Sequence, residues 1–358
     1  MEFRVIGKPD FLGIEGLGTQ GKQGKLGAVG EMLLGPRAPG RPRAVGRCPG
    51  RRGLVWGMRF VFLGTGTSSG VPAIGCACEV CTSSDPRDAR LRVGAAIIFD
   101  DAQGHPRVVL IDAGPDLRQQ ALRAGLTRCD AILFTHNHVD HTFGLDEVRR
   151  FNAVQKGPIE VWAEDHTMDH LHRVYRHIFE KDANVNDSFV ATLIPRRIDP
   201  GMVNGPGMEV FGLKVTPLRL LHGRLPIVGF RIDRSGASPG RGSPEAGATG
   251  FLPLAYCTDV SGIPPETYPH LRGLGTLVLD ALRHRHHPTH LTLSDSVGIA
   301  ERVGAGRTFF IHMAHDLAHE ATNATLPPGM QLAHDGLVLE DGPLPEKPRV
   351  DEPEETGA

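Results

Sequence analysis

A chain of 358 residues with 40% apolar and 22% charged side chains has a globular composition, which excludes wholesale disorder. Its 39 basic and 41 acidic side chains leave a net charge of -2, which argues against a general nucleic-acid coat or a membrane-surface protein, since both need excess positive charge. No apolar run approaches the ~18 residues of a transmembrane helix, whereas 18 histidines are many for this length.

Residues 1–57 hold 14 Gly and 5 Pro, with 10 basic against 4 acidic side chains, and show no sustained periodicity. They lack the apolar h-region of a signal peptide. They read as a disordered basic extension, and translated sequence upstream of a true start at Met58 is preferred over a transit peptide or a functional arm. The reason is that a strong strand, 59–63, begins immediately after Met58. Further strands are predicted at 95–99, 108–111, 131–135, 159–163, 214–218, 228–232, 254–258, 277–279 and 308–311, and helices at 115–124, 164–179 and 294–303. This alternation predicts an α/β fold over 58–340 with its polar loops gathered at sheet edges. The Gly/Ser/Pro/Ala stretch 235–250 reads as a flexible hairpin insertion, and the acidic, Pro-rich 341–358 as a disordered tail.

The chemistry concentrates after the strand at 131–135, in Phe134-Thr135-His136-Asn137-His138-Val139-Asp140-His141. Imidazole and carboxylate are donors that Zn²⁺ and similar divalent cations accept, and α/β folds place their sites at strand ends. His136, His138, Asp140 and His141 exceed what one metal needs from one loop. His222, Asp259 and His312 each follow another apolar strand and share the same place in the pattern. Asp112 follows the strand 108–111 and reads as a partner that orients a ligand imidazole. Cys76, Cys78 and Cys81, in Gly-Cys-Ala-Cys-Glu-Val-Cys, cannot all pair with one another. Three soft thiolates suit a closed structural zinc site, which wants a fourth ligand. His315, in His312-Met313-Ala314-His315, is the candidate. Cys129 and Cys257 lie in apolar strand contexts and read as buried thiols, and Cys48 falls in the extension.

The His-X-His-X-Asp-His run resembles the signature of the metallo-β-lactamase-fold hydrolases. That resemblance implies an αββα sandwich with a two-metal site on one edge. It implies one metal on His136, His138 and His222, a second on Asp140, His141 and His312, and Asp259 bridging both. The Cys-X-Cys-X-X-Cys loop, with the opening Leu63-Gly64-Thr65-Gly66-Thr67-Ser68-Ser69-Gly70-Val71-Pro72, resembles the phosphoribosyl 1,2-cyclic phosphate phosphodiesterases of the carbon–phosphorus lyase pathway. Coenzyme PQQ biosynthesis protein B carries a similar Cys loop, so the feature marks a group rather than one substrate. In the phosphodiesterases a His ahead of the last strand handles the phosphate, and His290 is the match. Its neighbours His284, His286 and His287 are expected to face solvent.

The resemblance therefore implies a hydrolase of a small cyclic phosphodiester, using two catalytic divalent cations (Zn²⁺ or Mn²⁺) beside one structural Zn²⁺. Asp140 and Asp259 would position the metals, and His290 would bind the phosphate or protonate the leaving alkoxide. Two alternatives stand beside this: a tRNase Z-like RNA endonuclease, and a non-catalytic carrier like the PQQ protein. His319-Glu320-Ala321-Thr322 spells a tRNase Z motif but follows His312 rather than Asp259, and reads as coincidence. The negative charge of the domain disfavours RNA. No Walker loop or dinucleotide fingerprint points to a nucleotide cofactor. Reduced thiols at a zinc site point to the cytoplasm, and a homodimer is compatible with the sequence.

Overall fold

The computed structural model describes residues 57–180, 182, 189–234 and 250–341. The basic extension before Gly57, the insertion before Gly250 and the acidic tail after Asp341 lie outside the described residues.

Among the described residues fourteen strands, numbered in chain order, form two seven-stranded sheets. The first runs β1 (Arg59–Gly64), β2 (Gly94–Asp100), β3 (Pro106–Ile111), β4 (Ala131–Leu133), β5 (Ile159–Ala163) and β6 (Leu193–Arg197), with β14 (Val338–Glu340) outside β1. The second runs β7 (Met208–Val210), β8 (Leu213–His222), β9 (Leu225–Arg234), β10 (Leu254–Cys257), β11 (Thr276–Asp280), β12 (Arg307–Ile311) and β13 (Met330–Leu332). Each sheet starts with antiparallel hairpins and ends in parallel pairs, β3 to β6 in one and β10 to β13 in the other. Parallel strands share a direction, so their C-terminal ends collect at one edge.

Alternation along the strands builds three layers of core. Phe60 and Phe62 of β1 point between the sheets, where they meet Phe230, Phe251, Tyr256 and Phe309. Val61 and Leu63 point outward, into the layer that holds Leu117 of α1 (Leu117–Ala124), and farther along the same face α4 (Asp165–Val174) adds Met168 and Leu171 over β5. On the far sheet Leu277, Leu279 and Phe310 pack on Leu293 and Ala300 of α6 (Leu293–Val303). Strands covered on both faces read as continuous apolar runs, and helices outside two stacked sheets give the αββα sandwich expected from the sequence. The Phe60 and Phe62 rings meet edge to face at 5.0 Å. Phe62 is fully buried between the sheets, so Phe62→Ala is expected to cost about 3–5 kcal/mol in chemical denaturation. A loss under ~1 kcal/mol would mean that the two sheets do not share this core.

Every central strand was legible in the sequence. The four strands that were not, β6, β7, β13 and β14, are the four sheet edges. Edge strands bury less, so their pattern is weak; β6, for instance, has no buried residue. Short helices were missed as well: α2 (Val139–Thr142), α3 (Arg149–Gln155) and α7 (His319–Asn323). The helix predicted at 164–179 is two, α4 and α5 (Arg176–Phe179), broken at Tyr175. Tyr175 is buried, and its hydroxyl donates to the Thr142 carbonyl at 3.0 Å, which ties the break to the loop after α2. Asp341, where the acidic tail was expected to begin, is held at three points. Its N–H donates to Met58 O at 2.8 Å, and its carboxylate accepts from Phe251 N at 2.9 Å and Arg234 Nη2 at 2.6 Å.

The sheets are stitched together at the edge that carries the polar loops. Val228 N donates to Thr135 O at 3.2 Å, Met313 N to Thr65 O at 3.0 Å and Thr67 N to Met313 O at 3.1 Å. The Gly-rich turn thus fixes the segment after β12.

Candidate metal centre

Three strands end in residues with left-handed backbone. Asp112 follows β3 at φ 62, Asp259 lies two residues past β10 at φ 57, and His312 follows β12 at φ 59. A positive φ on a non-glycine residue is strained and clusters at functional sites. The chain after β4 delivers His136 and His138 and enters α2, which carries Asp140 and His141; His222 is the last residue of β8. The structure brings all seven together. Ligand atoms of His136, His138, His222 and Asp259 lie within 4.8 Å of one another, as do those of Asp140, His141, Asp259 and His312. Asp259 belongs to both groups. Only His138 is exposed, at the mouth.

Hydrogen bonds behind the imidazoles orient them. His141 Nδ1 is bonded to Asp112 at 2.7 Å, and His222 Nδ1 donates to Thr289 O at 2.8 Å. Thr135 donates N–H and O–H to Asp112 at 2.8 and 2.9 Å, and its hydroxyl lies 3.0 Å from His136 Nδ1. With Nδ1 engaged in each of these three, Nε2 is left as the ligand atom. The Nε2 atoms of His136, His141 and His312 are buried without a hydrogen-bond partner among the described residues. Yet oxygens of Asp259 stand 4.0, 3.1 and 3.3 Å from them. Orphaned buried polar atoms cost ~1–3 kcal/mol each. Atoms that converge on one point without bonding one another fit divalent cations there, and the imidazole–carboxylate donor set suits Zn²⁺ or Mn²⁺.

Charge supports the same fit. Burial opposes the imidazolium at His141, but Asp259, Asp112 and Asp140 outweigh it and push the pKa well up. Burial likewise opposes His312, and Asp259, Asp140 and Asp280 carry it to about 9. Asp259 is held well below the carboxylate range because His312 and His141 outweigh the burial cost. Burial and then His141 push His136 well down, and burial takes His222 to about 4 despite Asp259. The carboxylate of Asp259 thus favours its charged form and the imidazoles of His141 and His312 their protonated forms, and bound cations would take the place of those protons.

Asp280 was missed. It is fully buried at the end of β11, the strand-end position that marks the other donors, so the signal was present in the sequence. Its Oδ2 lies 3.2 Å from His290 Nδ1 and its Oδ1 3.5 Å from His312 Nδ1. His290 stacks on His312 at 4.6 Å and stands 4.7 Å from His222. His284 and His286 are exposed as expected, but His287 is half-buried, with its ring 5.1 Å from His290. His319 and Glu320 begin α7, where the His319 N–H donates to Asp88 at 2.8 Å.

A second group gathers Cys76, Cys78, Cys81 and His315. The sulfurs lie 3.2, 3.2 and 3.5 Å from His315 Nδ1. The Cys81 backbone draws the Cys78 thiol down to about 6, while burial pushes Cys81 up to about 11, although the Ala73 N–H donates to its sulfur at 3.3 Å. Four donors this close, none in a disulfide, fit one tetrahedral Zn²⁺. Arg90 holds the strip that carries His315. Its fully buried guanidinium donates to Ala314 O at 2.8 Å, to Leu317 O and to Asp88 at 3.2 Å. Nothing in the sequence distinguishes Arg90 from a surface arginine.

An αββα sandwich with histidines and aspartates at one edge defines the metallo-β-lactamase fold. The beta-lactamase superfamily domain matches residues 107–313, and the chain belongs to that superfamily. A solved diphosphatase from the PhnP family is 42% identical with a TM-score of 0.66, covering 79% of this chain and 97% of its own. An octanoyltransferase of Porphyromonas gingivalis is 33% identical over 282 residues, 78% of this chain; the chain spans 51% of that relative's length. Coenzyme PQQ synthesis protein B of Methylobacterium nodulans is 26% identical, covering 79% of this chain and 99% of that protein. No helix among the described residues is long and apolar enough to cross a membrane.

Proposed function

We propose that residues 58–340 form a binuclear metal-dependent hydrolase of small phosphodiesters, with phosphoribosyl 1,2-cyclic phosphate as the model substrate. The observation that carries this reading is the convergence of six side chains on a shared, buried Asp259, with three orphaned Nε2 atoms close to it. His136, His138 and His222 would hold one cation, Asp140, His141 and His312 the other, and Asp259 would bridge. Two such cations supply a water of lowered pKa and polarise phosphoryl oxygens.

The remaining steps belong to the chain's own groups. Asp112 and Thr135 fix the rings of His141 and His136. Asp280 accepts from His290 Nδ1–H, and a ring that carries a second proton on Nε2 would donate it to a phosphoryl oxygen or pass it to the departing alkoxide, returning to the neutral imidazole. Cys76, Cys78, Cys81 and His315 would hold a structural Zn²⁺ apart from the reaction. Reduced thiols suit the cytoplasm. The diphosphatase relative adds a second substrate class, a substituted diphosphate, whose P–O–P linkage the same arrangement could open. A complete donor set favours an enzyme over a carrier. The octanoyltransferase name belongs to a longer protein, of whose length the match covers 51%, so acyl transfer does not carry over to this chain.

Protein purified without chelator is expected to contain about three metals per chain, two exchangeable and one tight. It should turn over bis(p-nitrophenyl) phosphate and a five-membered cyclic ribose phosphate in preference to a pre-tRNA, and lose activity when the exchangeable pair is removed. About one metal, unchanged after refilling with Zn²⁺ or Mn²⁺, would overturn the two-metal reading.

A further inference from the structure

Between β11 and α6 the segment His287-Pro288-Thr289-His290 links three imidazoles through one residue. Thr289 O accepts from His222 Nδ1 at 2.8 Å. The Thr289 N–H donates to His287 Nδ1 at 3.3 Å, and its hydroxyl lies 3.1 Å from the same atom. Space around Thr289 is tight, since a Cβ at Gly223 (φ +61) would stand 2.8 Å from the Thr289 methyl group. His287 is therefore fixed against Thr289, the residue whose carbonyl also holds His222. Arg283 braces the same loop from behind, donating to Arg285 O at 3.2 Å and His286 O at 3.1 Å.

The tautomer follows from the bond. Nδ1 of His287 accepts from a backbone N–H, so the ring's own proton sits on Nε2. That Nε2 has no partner among the described residues and is not sealed in the interior. The His290 ring lies 4.7 Å from His222 and 5.1 Å from His287, so His287 is an immediate neighbour of the group assigned to the reacting phosphate.

We propose that His287 is a substrate-binding residue, donating Nε2–H to a phosphoryl oxygen adjacent to the reacting one, so that the site prefers ligands with two linked phosphoryl groups. This rests on the metal-dependent hydrolase reading above. Its contribution is a contact to the ligand, not orientation of the metals, so its loss should change affinity far more than turnover.

The test compares inorganic diphosphate with inorganic phosphate, by calorimetry on metal-loaded protein. The wild type is expected to bind diphosphate at least about tenfold more tightly. His287→Ala should lose most of that preference while retaining its metals and melting temperature. His287→Gln, which keeps a donor near the position of Nε2, should restore part of it. With a substituted diphosphate as substrate, KM should rise about tenfold in His287→Ala with kcat within a few-fold. A wild type without preference, or a His287→Ala protein that keeps it, would overturn the proposal. The binding readout needs no turnover, so it separates this failure from that of the hydrolase reading, which would appear as wild-type protein that cleaves none of the phosphate substrates.

Discussion

Asp259→Asn is expected to lower phosphodiesterase turnover at least about a hundredfold, a loss of ~2.7 kcal/mol in transition-state stabilisation. Asp259 is buried, is shared by both groups of donors, and has oxygens within 4.0 Å of His136, His141 and His312. Asn is the informative replacement because position 259 is left-handed at φ 57. Asn tolerates that backbone, whereas Ala would add strain to the loss of charge. The substitution removes one negative charge from the proposed two-cation site, so the exchangeable metals should weaken while the tight one stays. Elemental analysis beside steady-state kinetics provides the check. Turnover near the wild-type value would mean that the carboxylate between the metals is some other residue.

Two histidines three residues apart should give opposite phenotypes. His312→Asn, again matched to a left-handed position at φ 59, is expected to abolish activity with little change in melting temperature, since the proposal assigns it to the exchangeable pair. His315→Ala is expected to release the tight zinc and lower the melting temperature by about 5 °C or more. A structural metal contributes its binding energy to folding, and each kcal/mol is worth ~2–4 °C in a domain of this size class. The separation is plausible because His315 Nδ1 faces three sulfurs at 3.2 to 3.5 Å, whereas His312 Nε2 faces Asp259 at 3.3 Å. If His315→Ala keeps its zinc and its melting temperature, the fourth donor of the cysteine group lies elsewhere.

Much of this molecule was readable before any coordinates, for physical reasons that differ by element. Central strands buried on both faces must be apolar throughout, so 95–99, 108–111 and 308–311 stand out in any window. Parallel strands deliver their following residues to one edge, so a polar residue ending each apolar run was already a statement about place. That is how His222, Asp259 and His312 could be grouped with the His136–His141 run from spacing alone. The edge strands β6, β7, β13 and β14 escaped because half-exposed strands of three to five residues leave no alternation to count.

The sequence by itself determined the donor types, the strand order of burial and the grouping of strand-end residues, because all three are local consequences of polarity and covalent spacing. Only the tertiary structure decided which side chains support them. Asp280 takes on two imidazoles at once, Arg90 serves as a buried clamp rather than a surface charge, and half-buried His287 stands beside His290. Each of these roles depends on partners from distant segments, whose approach is set by the stacking of the two sheets and is invisible in any window of the chain.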